Sequence, residues 1–183
     1  ACAAPGGKAA HAATLLGGGG LVVGIEPRPG GIRRISAETA RLGITHVATL
    51  VADARHPPLR PGFDAVLVDA PCTGLGTLRR HPEVRWRRRP DDVPRLAALQ
   101  FDLLAGVAPL VRAGGVLVYA VCTLTREENE DVVSRFVDAH PAFAVENVAP
   151  HAPTELVTPG GFLRTLPHRH GLDGFFAARL RAR

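Results

Sequence analysis

Short apolar runs set off by glycine, proline and acidic residues give this chain its rhythm. Runs over 21–25, 46–51, 65–68 and 116–121 are rich in Val, Leu and Ile and stop at Glu, Asp or Cys. Such near-continuous apolar runs predict buried strands of a parallel sheet. Segments of helical character lie between them. An Ala-rich stretch over 8–16 is broken by Gly17-Gly-Gly-Gly20, and a second predicted helix over 32–42 ends at Gly43. A long helix is predicted from 92 or 93 to 110, with Pro94 tolerated in its first turn. Thr125-Arg-Glu-Glu128 has the form of a capping box opening a helix that runs to Ala139. The last strands are predicted over 143–148 and 174–180. A Pro/Gly/His-rich stretch with no clear helix separates them, so they are expected to form an antiparallel pair at one edge.

The alternation predicts an α/β fold: a doubly wound, mostly parallel sheet with helices on both faces, as one domain over residues 1–183. In such sheets ligands collect at the carboxyl ends of strands. The chain opens on Ala1-Cys-Ala-Ala-Pro-Gly-Gly-Lys8, which reads as the turn after a strand that is not present, and it contains no Met. It is therefore expected to be a fragment of a longer protein. The missing first strand would lie centrally, beside the runs at 21 and 65. Their facing edges would lose ladder partners, and the isolated chain is expected to be poorly stable or inactive.

Composition narrows the classes. With 46% hydrophobic and 21% charged residues the chain is globular. No apolar stretch is expected to span a bilayer, and the start lacks a signal-peptide pattern. Three widely spaced Cys argue against a disulfide framework and for a reducing cytoplasm. No paired Cys or His spacing suggests a metal site. Twenty-two Lys plus Arg against 17 Asp plus Glu give a net charge of +5, which favours a polyanionic partner. Arg79, Arg80, Arg85, Arg87, Arg88 and Arg89 crowd around His81 and the only Trp, Trp86. Trp86 either stacks on a base or anchors the loop in the core.

The candidate chemistry sits at the strand ends. Cys72 follows Asp69-Ala-Pro, and Cys122 closes Tyr119-Ala-Val. A single such Cys is usually a small buried hydrophobe, whereas two at two strand ends, one beside a carboxylate, suit sulfur nucleophile chemistry. Gly6-Gly7 before a helix offers close backbone approach and exposed N–H groups. Glu26 ends the next strand, where an acid can bind ribose hydroxyls, and Asp53 ends the third, where an acid can accept from an adenine amine. Lys8 is the only Lys in a chain that otherwise uses Arg. A compact ammonium and a planar guanidinium are not exchangeable in a tight site, so Lys8 is expected to reach into the pocket.

Taken together, Cys2-Ala-Ala-Pro-Gly-Gly-Lys8, Asp69-Ala-Pro-Cys72, Arg79-Arg-His-Pro-Glu-Val-Arg-Trp86, Tyr119-Ala-Val-Cys122, Glu127-Glu-Asn-Glu130 and Asp173-Gly-Phe-Phe-Ala-Ala178 resemble the Sun-type RNA cytosine-5 methyltransferases, the bacterial 16S ribosomal RNA members above all. The resemblance implies a Rossmann-like class I methyltransferase fold and S-adenosylmethionine as cofactor. It implies that Cys2, Ala3, Ala4, Pro5, Gly6, Gly7, Lys8, Glu26, Asp53 and Asp69 line the cofactor site. Cys122 is then the nucleophile at carbon 6 of cytosine, and Cys72 the thiol that assists release. Asp69 and Lys8 support the reacting base, and the arginine segment meets RNA phosphates. A helix starting near Arg126 would favour the Cys122 thiolate. Glu26 stands where the family usually has Asp, and Gly31 where it often has Arg. The family's N-terminal RNA-binding regions are expected to belong to the longer protein. Two other classes fit less of the pattern: an exocyclic-amine methyltransferase, which needs no thiol, and a non-catalytic RNA-binding module of the same fold.

Overall fold

The structure, a computed structural model, describes residues 1–183 and divides into two compact units, Ala1–Leu59 and Arg60–Arg183. The first unit holds α1 (Gly7–Leu16), β1 (Val22–Glu26), α2 (Pro29–Arg41) and β2 (Val47–Val51). α1 ends where Gly17 turns left-handed at φ 56, a conformation that suits a residue without a Cβ. β1 and β2 pair in parallel, from Val22 with Val47 to Glu26 with Val51. Ala9, Ala10, Ala13, Ile25 and Ile35 are buried between the helices and this ribbon. The small helix residues let α1 approach closely.

The second unit holds β3 (Phe63–Asp69), α3 (Val84–Arg87), α4 (Asp92–Val107), β4 (Val111–Val121), α5 (Glu130–Ala139), β5 (Phe143–Glu146), β6 (Leu163–Thr165), α6 (Pro167–His170) and β7 (Phe175–Ala182). The strand order is β3-β4-β7-β5, with β6 also on β7. β3 and β4 are parallel, and β7 runs antiparallel to β4, β5 and β6. The expected antiparallel edge is present, with β7 inserted between β4 and β5. Val68, Leu104, Leu117, Tyr119, Phe136, Phe176 and Leu180 are shut away from solvent. β1 pairs only with β2, and the second edge of β3 likewise carries no strand.

Three expectations are corrected. β4 starts at Val111 rather than 116, because Gly114 at φ 68 accommodates an irregular register that the Gly pair had disguised as a break. The helix expected from 125 is a 3-10 turn over Arg126–Glu128; α5 begins only at Glu130, after Asn129 leaves helical geometry at φ −108, ψ −103. The helical stretch Asp92–Leu110 is, by length and composition, apolar enough to cross a membrane. Its buried face of Leu96, Ala97, Gln100, Leu103, Leu104 and Val107, with an amide at its centre, is that of a core helix.

Tyr119 joins the sheet to the turn before α5. Its buried hydroxyl donates to the Glu128 carbonyl at 2.6 Å. Tyr119→Phe should lower stability by about 1–2 kcal/mol, because it leaves that carbonyl short of a partner. A thermal melt should then fall by roughly 2–8 °C.

Candidate active site

Adjacent parallel strands deliver their following loops to the same place. Asp69, the last residue of β3, pairs with Ala120 of β4, and the Ala70 amide donates to the Ala120 carbonyl at 2.9 Å. The loops beyond therefore leave side by side. Cys72 and Cys122, 50 residues apart in sequence, face each other with sulfurs 3.2 Å apart. The Cys122 amide also donates to the Cys72 sulfur at 3.3 Å. No disulfide joins them. Cys72 is buried and Cys122 partly exposed. The neighbouring Cys122 side chain, followed by burial, pushes the Cys72 thiol well above the ordinary range, so Cys72 stays protonated. Of the two, Cys122 is the sulfur a substrate can reach.

A buried carboxylate knits the two loops together. Glu128 Oε1 accepts from the Thr73 amide at 2.9 Å and from the Gln100 amide group at 3.0 Å. Its Oε2 accepts from the Thr73 hydroxyl at 2.5 Å and the Thr125 hydroxyl at 3.0 Å, with the Thr123 hydroxyl at 3.2 Å. The Thr73 and Thr123 hydroxyls also meet at 2.7 Å. Gln100 sends its other N–H to the Pro71 carbonyl at 3.0 Å.

Further struts close the site. The Gly76 amide donates to the Cys122 carbonyl at 3.0 Å, and the Gly174 amide to the Gly76 carbonyl at 2.8 Å. A Cβ on Gly76 would sit 2.0 Å from the Gly174 oxygen, so only glycine fits this approach. Arg80 binds Asp173, whose side chain is almost wholly buried. Arg88 donates to the Thr73 carbonyl at 2.7 Å and the Cys72 carbonyl at 3.1 Å. Arg79 donates to the Gly171 carbonyl at 2.9 Å and lies 3.7 Å from Asp173, so three arginines expected on RNA hold the protein to itself. Arg85, Arg87 and Arg89 remain exposed, and Trp86, 85% exposed on α3, is not a core anchor. A cavity of about 340 Å³ lies against β4 and β7 beside Arg80, Thr165, Asp173 and Phe176.

The remaining candidates lie in the first unit. The Ala3 amide donates to the Ile25 carbonyl at 3.0 Å, which lays the turn holding Cys2, Ala3, Ala4 and Pro5 against the end of β1. Gly6 sits at φ 122, where a Cβ would come 3.0 Å from the Ile35 Cα; beside Gly7 the space is open. Lys8 is exposed on the first turn of α1. Glu26 is buried and accepts from Arg28 at 3.0 Å, and its carbonyl takes the Ala52 amide at 3.3 Å, which brings it next to Asp53. Hydrogen bonds from the Arg55 side chain hold the Asp53 carboxyl below its usual range. A Cβ on Gly31 would lie 2.4 Å from the Glu26 Cγ. The Glu26 side chain therefore fills the space that a side chain at position 31 would need.

Comparison with known proteins now decides the family. The profile of the 16S rRNA methyltransferase RsmB/F family matches residues 1–181. The chain belongs to the RsmB/F family. It is 41% identical over 187 residues to a Bacillus subtilis protein named "Probable ribosomal RNA small subunit methyltransferase B", covering 99% of this chain and 42% of that protein. It is 53% identical over 116 residues to ribosomal RNA small subunit methyltransferase B of Thermus thermophilus, covering 63% of this chain and 28% of that one. Among solved structures, NSun6 from Pyrococcus horikoshii with SFG superposes with a TM-score of 0.86 at 33% identity, over 97% of this chain and 45% of that one. The fold is that of the class I methyltransferases. This RsmB/F chain spans less than half the length of these relatives.

Within this RsmB/F chain, sequence reasoning missed Glu128, Thr73, Thr123 and Gln100. The Thr125-to-Glu128 spacing reads as a local cap, and nothing nearby signals donors from the loop after β3 and from α4. The geometry also sets an order of thiol reactivity, since only the thiolate alkylates. Brief exposure to iodoacetamide at neutral pH should label Cys122 at least about tenfold faster than Cys72. Peptide mapping checks this, and equal labelling of the folded chain would contradict it.

Proposed function

We propose that this chain is the catalytic part of an RsmB/F enzyme that transfers a methyl group from S-adenosylmethionine to carbon 5 of a cytosine in cytoplasmic RNA, with 16S ribosomal RNA as the substrate. One observation carries this reading: two thiols 3.2 Å apart, one buried as a thiol and one open to a ligand, just past the strand end that bears Asp69. An exocyclic-amine methyltransferase has no use for that pair.

The first unit suits the cofactor. Gly6 keeps the turn free of side chain, the first turn of α1 presents its N–H groups, and Glu26 and Asp53 stand at consecutive strand ends. Gly6, Gly7, Glu26 and Asp53 would hold it, with Cys2, Ala3, Ala4 and Pro5 shaping the turn. Bound there, S-adenosylmethionine supplies an electrophilic methyl group.

Carbon 5 of cytosine is a poor nucleophile on its own. The Cys122 sulfur bonds to carbon 6, and the ring electrons then concentrate at carbon 5. Asp69 binds the base at N3 or the exocyclic amine and stabilises the protonated ring. After methylation a base, such as a solvent water, takes the carbon 5 proton, and the pair left behind restores the double bond between carbons 5 and 6. The bond between sulfur and carbon 6 breaks with its electron pair returning to Cys122. Cys72, still protonated, donates a hydrogen bond to the departing sulfur. Lys8 is assigned to support the base. The base must be unstacked to meet these groups. Arg85, Arg87 and Arg89 bind phosphates around it, and exposed Trp86 stacks on a neighbouring base.

Cys122→Ala should abolish both methyl transfer and covalent RNA capture, whereas Cys72→Ala should accumulate an RNA adduct that denaturing gels resolve. The reversed pattern would exchange the two roles. Replacing Arg85, Arg87 and Arg89 with Gln should flatten the slope of log affinity against log salt by about 2, near 0.7 per single-strand phosphate. An unchanged slope would remove these arginines from the RNA interface.

A further inference from the structure

We propose that Glu128 is the positioning residue that fixes the separation of the two sulfurs; this rests on the reading of Cys72 and Cys122 as a working pair. Glu128 is wholly buried. Taking a carboxylate out of water is expensive unless donors converge on it. A local capping role would need only the backbone N–H of Thr125; instead the Thr125 hydroxyl donates from the same turn, and it is one donor among several. The others come from 5, 55 and 28 residues away. They are not scattered: Thr73 directly follows Cys72, Thr123 directly follows Cys122, and Gln100 reaches on to Pro71, the residue before Cys72. The donors are neutral hydroxyl and amide groups, so the carboxylate acts as a shared acceptor for two chain segments. Tyr119 holds the Glu128 backbone in turn, from the strand that ends at Cys122. A purely structural acid could be buried anywhere in the core. This one grips the residue after each thiol.

It follows that loosening Glu128 separates the thiols before it unfolds the chain. Disulfide closure by diamide measures that separation without RNA. Diamide takes up two electrons and two protons as the Cys72 and Cys122 thiols become one S–S bond. Failure of the methyltransferase reading would leave this readout intact, so the two can fail separately.

The experiment compares the full-length protein carrying this chain with its Glu128→Gln variant, checking the fold by thermal melting, closure by loss of titratable thiol, and the ratio of RNA adduct to released product. Glu128→Gln should slow closure by about tenfold, the effect of losing one strong hydrogen bond. It should also raise the fraction of RNA held as adduct. A folded Glu128→Gln chain with closure and ratio within twofold of the parent overturns the proposal. Should Glu128→Gln fail to fold, Thr73→Val and Thr73→Ser decide. Thr73→Val must slow closure and Thr73→Ser must restore it; closure at the parent rate in both overturns the proposal.

Discussion

A carboxylate sealed from water, with donors arriving from the loops after β3 and β4, is the constraint on which the second unit is organised. Parallel pairing brings those loops to one end of the sheet, but pairing stops at Asp69 and Ala120. Beyond that point the backbone of Pro71, Cys72 and Thr73 would be held by little, and Glu128, Gln100 and Arg88 supply its bonds. The interior makes each of these bonds stronger than it would be in water, and makes an orphaned partner costly. The same network therefore explains why the two sulfurs meet and why α5 starts late: Glu128 turns inward to its donors, and regular helix resumes only after Asn129.

The arginine segment divides its work. Arg80 ties it to the loop before β7 through Asp173, and Arg88 ties it to the carbonyls of the Cys72 loop. Gly76 brings the backbone of that segment against Gly174 and the Cys122 carbonyl. With these anchors made, α3 offers Arg85, Trp86 and Arg87 outward. One stretch of chain thus braces the Cys72 loop and leaves Arg85, Trp86 and Arg87 exposed on an element tied to it.

Much of this was readable from residue order. Strand runs, their acidic or thiol ends and the helices between them follow from local pattern, because burial on both faces of a sheet demands unbroken apolar runs. What escaped was long-range. Glu128 satisfied a local rule so well that no unexplained residue remained to prompt a search. Gly114-Gly115 disguised the first half of β4, and β6 is three residues with an Arg at its centre, too short for any periodicity. Arg79, Arg80 and Arg88 looked like their neighbours, since composition cannot tell an arginine held by a buried carboxylate or by backbone carbonyls from one in solvent. The pairing of Glu26 with Gly31 needed coordinates to show that one residue occupies the space the other leaves.

The central claim is that the sulfur of Cys122 bonds to the cytosine ring while Cys72 remains a thiol beside it. RNA bearing 5-fluorocytosine tests it most directly, because fluorine in place of the carbon 5 proton blocks the elimination that would release the enzyme. Incubated with this RNA and S-adenosylmethionine, then digested and sequenced by tandem mass spectrometry, the protein should carry the modified nucleotide on the peptide containing Cys122. A nucleotide on Cys72, or none on either peptide under conditions of methyl transfer to normal RNA, would contradict the account.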